Sequence, residues 1–445
     1  MEIQANQTTF RSYLSFWSGQ LVSLLGSSIA SFVIIWWITL ETGSALYLSI
    51  SALLGFAPAV ILSPFAGVFV DRWSRKALIG IVDFLQALTT VAIIFLFWFE
   101  IVVIWQVLTL LAVRGIFQAF HNPAVSAIVP LMVPRDKLSR MNGLNYLLGG
   151  AVTLVGPVAA AILLEIWKIH QILWIDAATF IVALIPLLII QIPSVNKKQD
   201  QSQEKSSFKK EFGEGLAFIK NARGFLPFIA LAAALNFLFT PLSTLLPYYV
   251  KFDHLGEATD LALVMAFFQG GMIAGGVLMS VMKGFKKKMV AILVSVYITF
   301  LGYAFVAFTP AGLFWFMAIG GLIMALCLPI ANVLIQTIIQ TAVPVKMFGR
   351  VTSVLGALAS AASPFGMILS GAIVEFTATS NLFLGCAVSG ALILTLSWLF
   401  TDIRYVEEME KQIDDTKTAS TEYHIKQEEV ASKKSPRKEE TVGKL

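Results

Sequence analysis

Twelve times between residues 13 and 400 the chain turns apolar for roughly 20 residues or more, and most of its charge falls in the breaks. The runs lie at 13–40, 45–70, 77–99, from 101 onward, 142–164, 172–192, 225–250, 261–282, 289–308, 313–342, 351–374 and 382–400. About 20 residues is the length that crosses a hydrocarbon core as a helix. Lipid offers no partner to backbone N–H and C=O groups, so each run must satisfy its own as a helix or join a closed barrel. Barrel strands alternate apolar and polar residues; these runs are apolar throughout, so helices are expected. Composition agrees: 13% of the residues are charged, against about 25% in a soluble domain. The fold class is therefore an all-α polytopic membrane protein, with the lipid bilayer as its first partner.

Charge placement gives an orientation. With both termini and every even-to-odd connection assigned to the cytoplasm, only Lys168 and Lys251 face outward and only Arg114 lies within a span. Every other Lys and Arg is cytoplasmic, as the positive-inside rule requires. A multi-pass protein of the cell membrane with both termini cytoplasmic is expected. The net charge of +5 thus reports topology, with no nucleic-acid partner implied. The two cysteines, Cys327 and Cys386, fall inside apolar runs and offer neither a disulfide nor a zinc framework. The first apolar run is too long for a cleaved signal and no small-residue cleavage site follows it.

Four regions result: a first half at 1–192, a charged cytoplasmic loop at 193–224, a second half at 225–401 and a tail at 402–445. The tail is poor in apolar residues and expected to be disordered, with at most an amphipathic stub near 403–413. The halves repeat: residues 122–165 align without a gap on 332–375, with Asn122/Asn332, Val133/Val343, Pro134/Pro344, Arg140/Arg350, Gly156/Gly366 and Glu165/Glu375 identical.

The break between the second and third runs reads Gly67-Val-Phe-Val-Asp71-Arg72-Trp-Ser-Arg75-Lys76. One acid and three bases between two spans must sit in water, and the plainest reading is a topological anchor. The spacing Gly-x-x-x-Asp-Arg-x-x-Arg-Lys resembles the loop between spans 2 and 3 of the major facilitator superfamily of secondary transporters. That resemblance implies twelve transmembrane helices in two six-helix bundles around a central cavity. It also implies a gating role for Gly67, Asp71, Arg72, Arg75 and Lys76, with Asp71 near the start of span 11 around Gly349–Val351. Span 5 carries Gly149-Gly150 and Gly156-Pro157, a degenerate form of the antiporter glycine pattern, with Val152 and Ala160-Ala161 replacing glycines. Gly149, Gly156, Pro157 and the repeat-related Gly366 are expected to serve close helix packing.

Few polar residues lie within the spans. Gln20 belongs to a small, polar stripe with Gly19, Ser23 and Gly26, and reads either as helix packing or as cavity-facing. Arg114 costs about 2.5–3.5 kcal/mol at mid-bilayer on insertion scales, so it must face the bundle interior. It is either a coupling residue or a structural arginine held by helix carbonyls. His121 follows seven residues on, on the same face, before Asn122-Pro123, where the helix is expected to break or kink. The acids Asp83 and Asp176 are the candidates for proton coupling, Asp176 near the outer end of its span. Trp36 and Trp37 have the position of an interfacial belt.

Several segments resemble the macrolide-efflux branch of drug:proton antiporters: Trp17-x-Gly19-Gln20-x-x-Ser23, Arg75-Lys76 with Asp83, Arg114-x-x-x-Gln118-Ala-Phe-x-x-Pro123-Ala124, and Phe348-Gly349-Arg350-Val351. The resemblance implies export of lipophilic or amphipathic small molecules in exchange for protons, by a protein acting as a monomer. A siderophore exporter shares these motifs. A non-transporting membrane sensor or assembly partner is the alternative of another class, although it has no need of Asp71, Arg72, Arg75 and Arg114 together. With no phosphate-binding glycine loop, metal-ligand cluster or nucleophile motif, neither an enzyme nor a bound cofactor is expected.

Overall fold

The apolar runs fold as helices. The computed structural model describes residues 7–192, 208–282, 284–285, 287–344 and 347–407. The first half contains α1 (Gln7–Thr42), α2 (Ala45–Arg72), α3 (Arg75–Trp98), α4 (Ile104–Ser126), the short α5 (Val129–Met132), α6 (Arg135–Ile166) and α7 (Ile169–Ile189). After α8 (Phe208–Asn221), the second half contains α9 (Phe225–Tyr248), α10 (Ala258–Val281), α11 (Lys288–Ala307), α12 (Phe314–Ala342), α13 (Phe348–Ser360), α14 (Ser363–Val374) and α15 (Thr379–Phe400). A π turn, Tyr249–Asp253, extends α9, and a 3-10 turn, Asp402–Tyr405, follows α15. We call the face that carries the α2–α3 connection the near face, and the opposite one the far face.

Eleven membrane-crossing segments among the described residues are long and apolar enough to span a bilayer, with α13 and α14 together forming one of them. The expected count was twelve, and the helix left out is α4. It carries Arg114, Gln118, His121 and Asn122, whose polarity lowers its apolar content. Its polar groups find partners inside the protein, so sequence hydropathy understates how well it fits there.

Packing follows the small residues. On α1, added methyl groups at Gly19 and Gly26 would run into Ala183 and Thr179 of α7, so these two helices touch backbone to backbone. Gly156 of α6 faces Ser28 of α1, while its repeat partner Gly366 of α14 faces Phe237 and Thr240 of α9. The same glycine thus docks the same pair of elements in each half. The repeat is also visible in the backbone: Val133 ends α5 at φ −99° and ψ 123°, and Val343 ends α12 at φ −99° and ψ 126°. It breaks further on, where α6 is continuous and its counterpart divides into α13 and α14.

The first half meets the second along α2 with α14 and along α6 with α10. At the far face Ser49 and Ser370 share a hydrogen bond at 3.3 Å, and a methyl group on Gly371 would sit 2.8 Å from the Ala45 carbonyl. The far ends of the two halves are closed on each other. Within the first half, two apolar clusters bracket the middle. Tyr13, Phe16, Leu78, Ile79 and Met132 pack toward the near face, while Ile34, Ile38, Ile93, Val107 and Leu173 pack toward the far face.

Several expectations need correction. Helix α4 runs unbroken through Asn122 and Pro123 to Ser126, so proline does not end it. Gly149 has open space where a side chain would be; the neighbouring Gly150 faces Ile273 of α10 instead. Trp36 and Trp37 are buried in protein, whereas Trp98, Trp105, Trp167 and Trp315 are among the exposed tryptophans. Residues 208–221 of the expected loop form an amphipathic helix, with Ile219 buried and Gly215 against the Arg350 carbonyl of α13. The tail begins as packed structure: Ile403 and Val406 are buried, and both carboxylate oxygens of Glu407 accept from the first N–H groups of α11, Lys288 and Met289, at 3.2 Å. The remainder of the tail, 408–445, lies outside the described residues.

Candidate functional site

Helices α1, α3 and α4 each place two polar residues seven positions apart: Gln20 and Ser27, Asp83 and Thr90, Arg114 and His121. Seven residues is close to two turns, so the members of each pair share a face about 10 Å apart. With α1 and α3 both packed on α7, and α4 on α3, these side chains form two polar rungs between the two apolar clusters, and α7 contributes Asp176 to one of them.

In the rung nearer the near face, His121 Nε2 lies 2.9 Å from Asp83 Oδ1, and Gln20 Nε2 donates to Asp83 Oδ2 at 3.1 Å. A carboxylate only accepts, so the bonded imidazole nitrogen carries the hydrogen. Asp83 is buried and His121 keeps a small exposed fraction.

The second rung is built on Asp176. Ser27 donates to Oδ1 at 2.7 Å, Thr90 donates to Oδ2 at 2.7 Å, and Arg114 Nη1 reaches Oδ2 at 3.3 Å. The Thr90 hydroxyl also accepts from Arg114 at 2.8 Å, closing a triangle of acid, base and hydroxyl. Asp176 is buried and lies two turns inside α7, which begins at Ile169; it is further from the helix end than its sequence position suggested. Arg114 faces the bundle interior as expected, and its partner is the Asp176 carboxylate.

Three amides form a chain alongside the rungs. Gln86 donates to Gln118 at 3.3 Å, and Gln118 donates to Asn122 at 2.8 Å. Trp17 Nε1 bonds the Asn145 side chain and ties α1 to α6. Helix α4 packs closely on α2: a methyl group on Gly115 would lie 2.7 Å from the Gly55 carbonyl. That close approach fixes how deeply α4 sits and where Arg114 points.

The gating motif divides. Helix α2 carries Gly67, Asp71 and Arg72 on its last turns, but their side chains lie outside the described residues, as does any contact of Asp71 with Gly349 or Val351. Lys76 is described: its ammonium donates to the Leu188 and Ile190 carbonyls at 2.7 and 2.6 Å. It caps the C-terminal end of α7, where a cation is favoured and carbonyls lack intrahelical partners. Arg75 is half-buried at the start of α3. Pro157 lies inside the continuous α6 and is buried beside Gly156. Sequence reasoning missed Ser27, Thr90 and Gln86. The signal for the first two was the seven-residue spacing that they share with Gln20 and Asp83.

A fold with acids and bases paired inside its spans is a transporter's arrangement, and comparison with known families decides which one. The model of the Major Facilitator Superfamily matches residues 16–337. This chain belongs to the Major Facilitator Superfamily. It is a multi-pass membrane protein of a superfamily that carries small molecules across membranes. It is 30% identical over 400 residues to macrolide efflux protein A of Streptococcus pyogenes, covering 89% of this chain and 97% of that protein. It is 26% identical to the multidrug efflux pump Tap of Mycolicibacterium fortuitum over 82% of this chain and 89% of that one. Among solved structures, a POT family transporter in complex with 5-aminolevulinic acid superposes with a TM-score of 0.67 over 88% of this chain and 96% of the other. The two are 11% identical, so that likeness shows the fold alone.

Proposed function

We propose that this superfamily member is an exporter of lipophilic or amphipathic small molecules, macrolides among them, driven by proton antiport. The observation that carries the reading is the pair of acid–base rungs inside the first half. Charged groups are costly in a membrane interior and mark ion or substrate pathways there. The likeness to a macrolide efflux protein over nearly its whole length supports the substrate class.

In this reading the near face is cytoplasmic, α4 is the twelfth span, and residues 1–192 and 225–401 form two six-helix bundles joined by 193–224. The bundles rock about their contact, exposing the site to one side at a time. Closure of the far face through Ser49 and Ser370 leaves access from the cytoplasm, where an exporter loads. Protons and substrate are its partners; it is no enzyme, needs no cofactor, and works as a monomer in the cell membrane. Drug-sensitive cells expressing the protein should accumulate less radiolabelled erythromycin than cells carrying Asp83→Asn, and a protonophore should abolish the difference. Equal accumulation in both would overturn the reading.

A further inference from the structure

We propose that the proton rides on the Asp83–His121 pair, and that the Arg114–Asp176 pair keeps its charges throughout the cycle. This rests on the antiport reading and assigns the proton to one rung of it.

The two rungs differ in what their bases can do. Arg114 does not lose its proton in a protein. Around Asp176, the Ser27 and Thr90 hydroxyls and the guanidinium supply three donors to two oxygens. Protonating that carboxyl would turn one acceptor into a donor facing donors, and leave Arg114 without its counter-charge. Such a rung resists a change of protonation. In the other rung the base is an imidazole, the side chain that ordinarily changes charge between about pH 5 and 8. Among the described residues, Asp83 has one further donor, the neutral amide of Gln20.

The groups facing this pair from the packed elements are Gln20 on α1 and, about two turns deeper, Arg114 on α4 with Asp176 on α7. Loading is simple to write. A proton from water adds to the second ring nitrogen of His121, while Nε2–H keeps its bond to Asp83 Oδ1. The pair goes from net −1 to neutral; on release the N–H bond breaks and the proton returns to water. Neutralising a carboxylate shielded from water favours an occluded, dry surrounding, and the unloaded pair presents a net negative charge to a cationic amphipath. Proton and substrate then weaken each other's binding, the reciprocity that antiport needs. His121 keeps a small exposed side-chain fraction, which gives its ring contact with water.

The test is proton release when radiolabelled erythromycin binds to purified protein in weakly buffered detergent, read with a pH-sensitive dye. The wild type should release protons as erythromycin binds. His121→Gln, which keeps a donor for Asp83, should bind erythromycin and release none; Asp83→Asn, which loses the negative charge, should bind more weakly and release none at saturating erythromycin; Asp176→Asn should still release protons. Release lost in Asp176→Asn but kept in His121→Gln and Asp83→Asn would overturn the assignment and leave antiport standing. Erythromycin binding to the wild type without any proton release would overturn the antiport reading itself.

Discussion

Arg114 on α4 and Asp176 on α7 meet at 3.3 Å, both largely withdrawn from solvent inside the protein. Neither charge would be stable there alone. Removing one partner of a buried pair costs about 3–5 kcal/mol, because the other is left without compensation. Asp176→Ala and Arg114→Ala should each lower the thermal midpoint in detergent sharply. The double variant should lose less than the sum of the two. Strict additivity in that cycle would mean that the pair is not coupled in the folded protein.

Glycine packing gives a contrast within a single helix. Gly156→Val pushes a branched side chain into Ser28 of α1, an overpacking that costs about 1–3 kcal/mol. Gly149→Ala points into open space and should be neutral, or stabilising by up to about 1 kcal/mol from helix propensity. Thermal midpoints of the two purified variants decide it, and equal losses would contradict the packing described.

Where the tail becomes dispensable is equally specific. A stop codon after Glu407 keeps the buried Val406 and the carboxylate that caps α11. A stop after Tyr405 removes both. The shorter chain should show reduced yield and a lower thermal midpoint, while the longer one should match the full chain in stability and export.

Much of the fold was legible in the sequence because lipid imposes a length and a polarity on every span. The elements that escaped are those whose logic lies in a partner. Helix α8 sits in a charged stretch, and its apolar face acquires meaning only against α13. The packed start of the tail, Ile403 to Glu407, depends on the ends of α9 and α11 in the same way. At the site, the ionisable residues stood out because charge is rare in a span. Ser27 and Thr90 did not, since a hydroxyl in a helix commonly bonds its own backbone. Which carboxylate would face Arg114 and which His121 was set by the close approaches at Gly26 and Gly115, and no spacing in one helix encodes them.

Closure of the far face can be tested by cross-linking. Ser49→Cys with Ser370→Cys replaces two hydroxyls 3.3 Å apart. Oxidation should form a disulfide and stop export, and reduction should restore it. Cross-linked protein that still exports would mean that this contact does not open during the cycle.

The most direct measurement uses proteoliposomes holding a pH gradient and no ATP, with radiolabelled erythromycin offered on the side corresponding to the cytoplasm. Each unit of pH gradient supplies about 1.4 kcal/mol per proton, enough for about a tenfold concentration ratio. The account predicts erythromycin transport coupled to proton movement in the opposite direction, abolished by a protonophore. Transport that continues without any ion gradient, or that follows a sodium gradient alone, would contradict it.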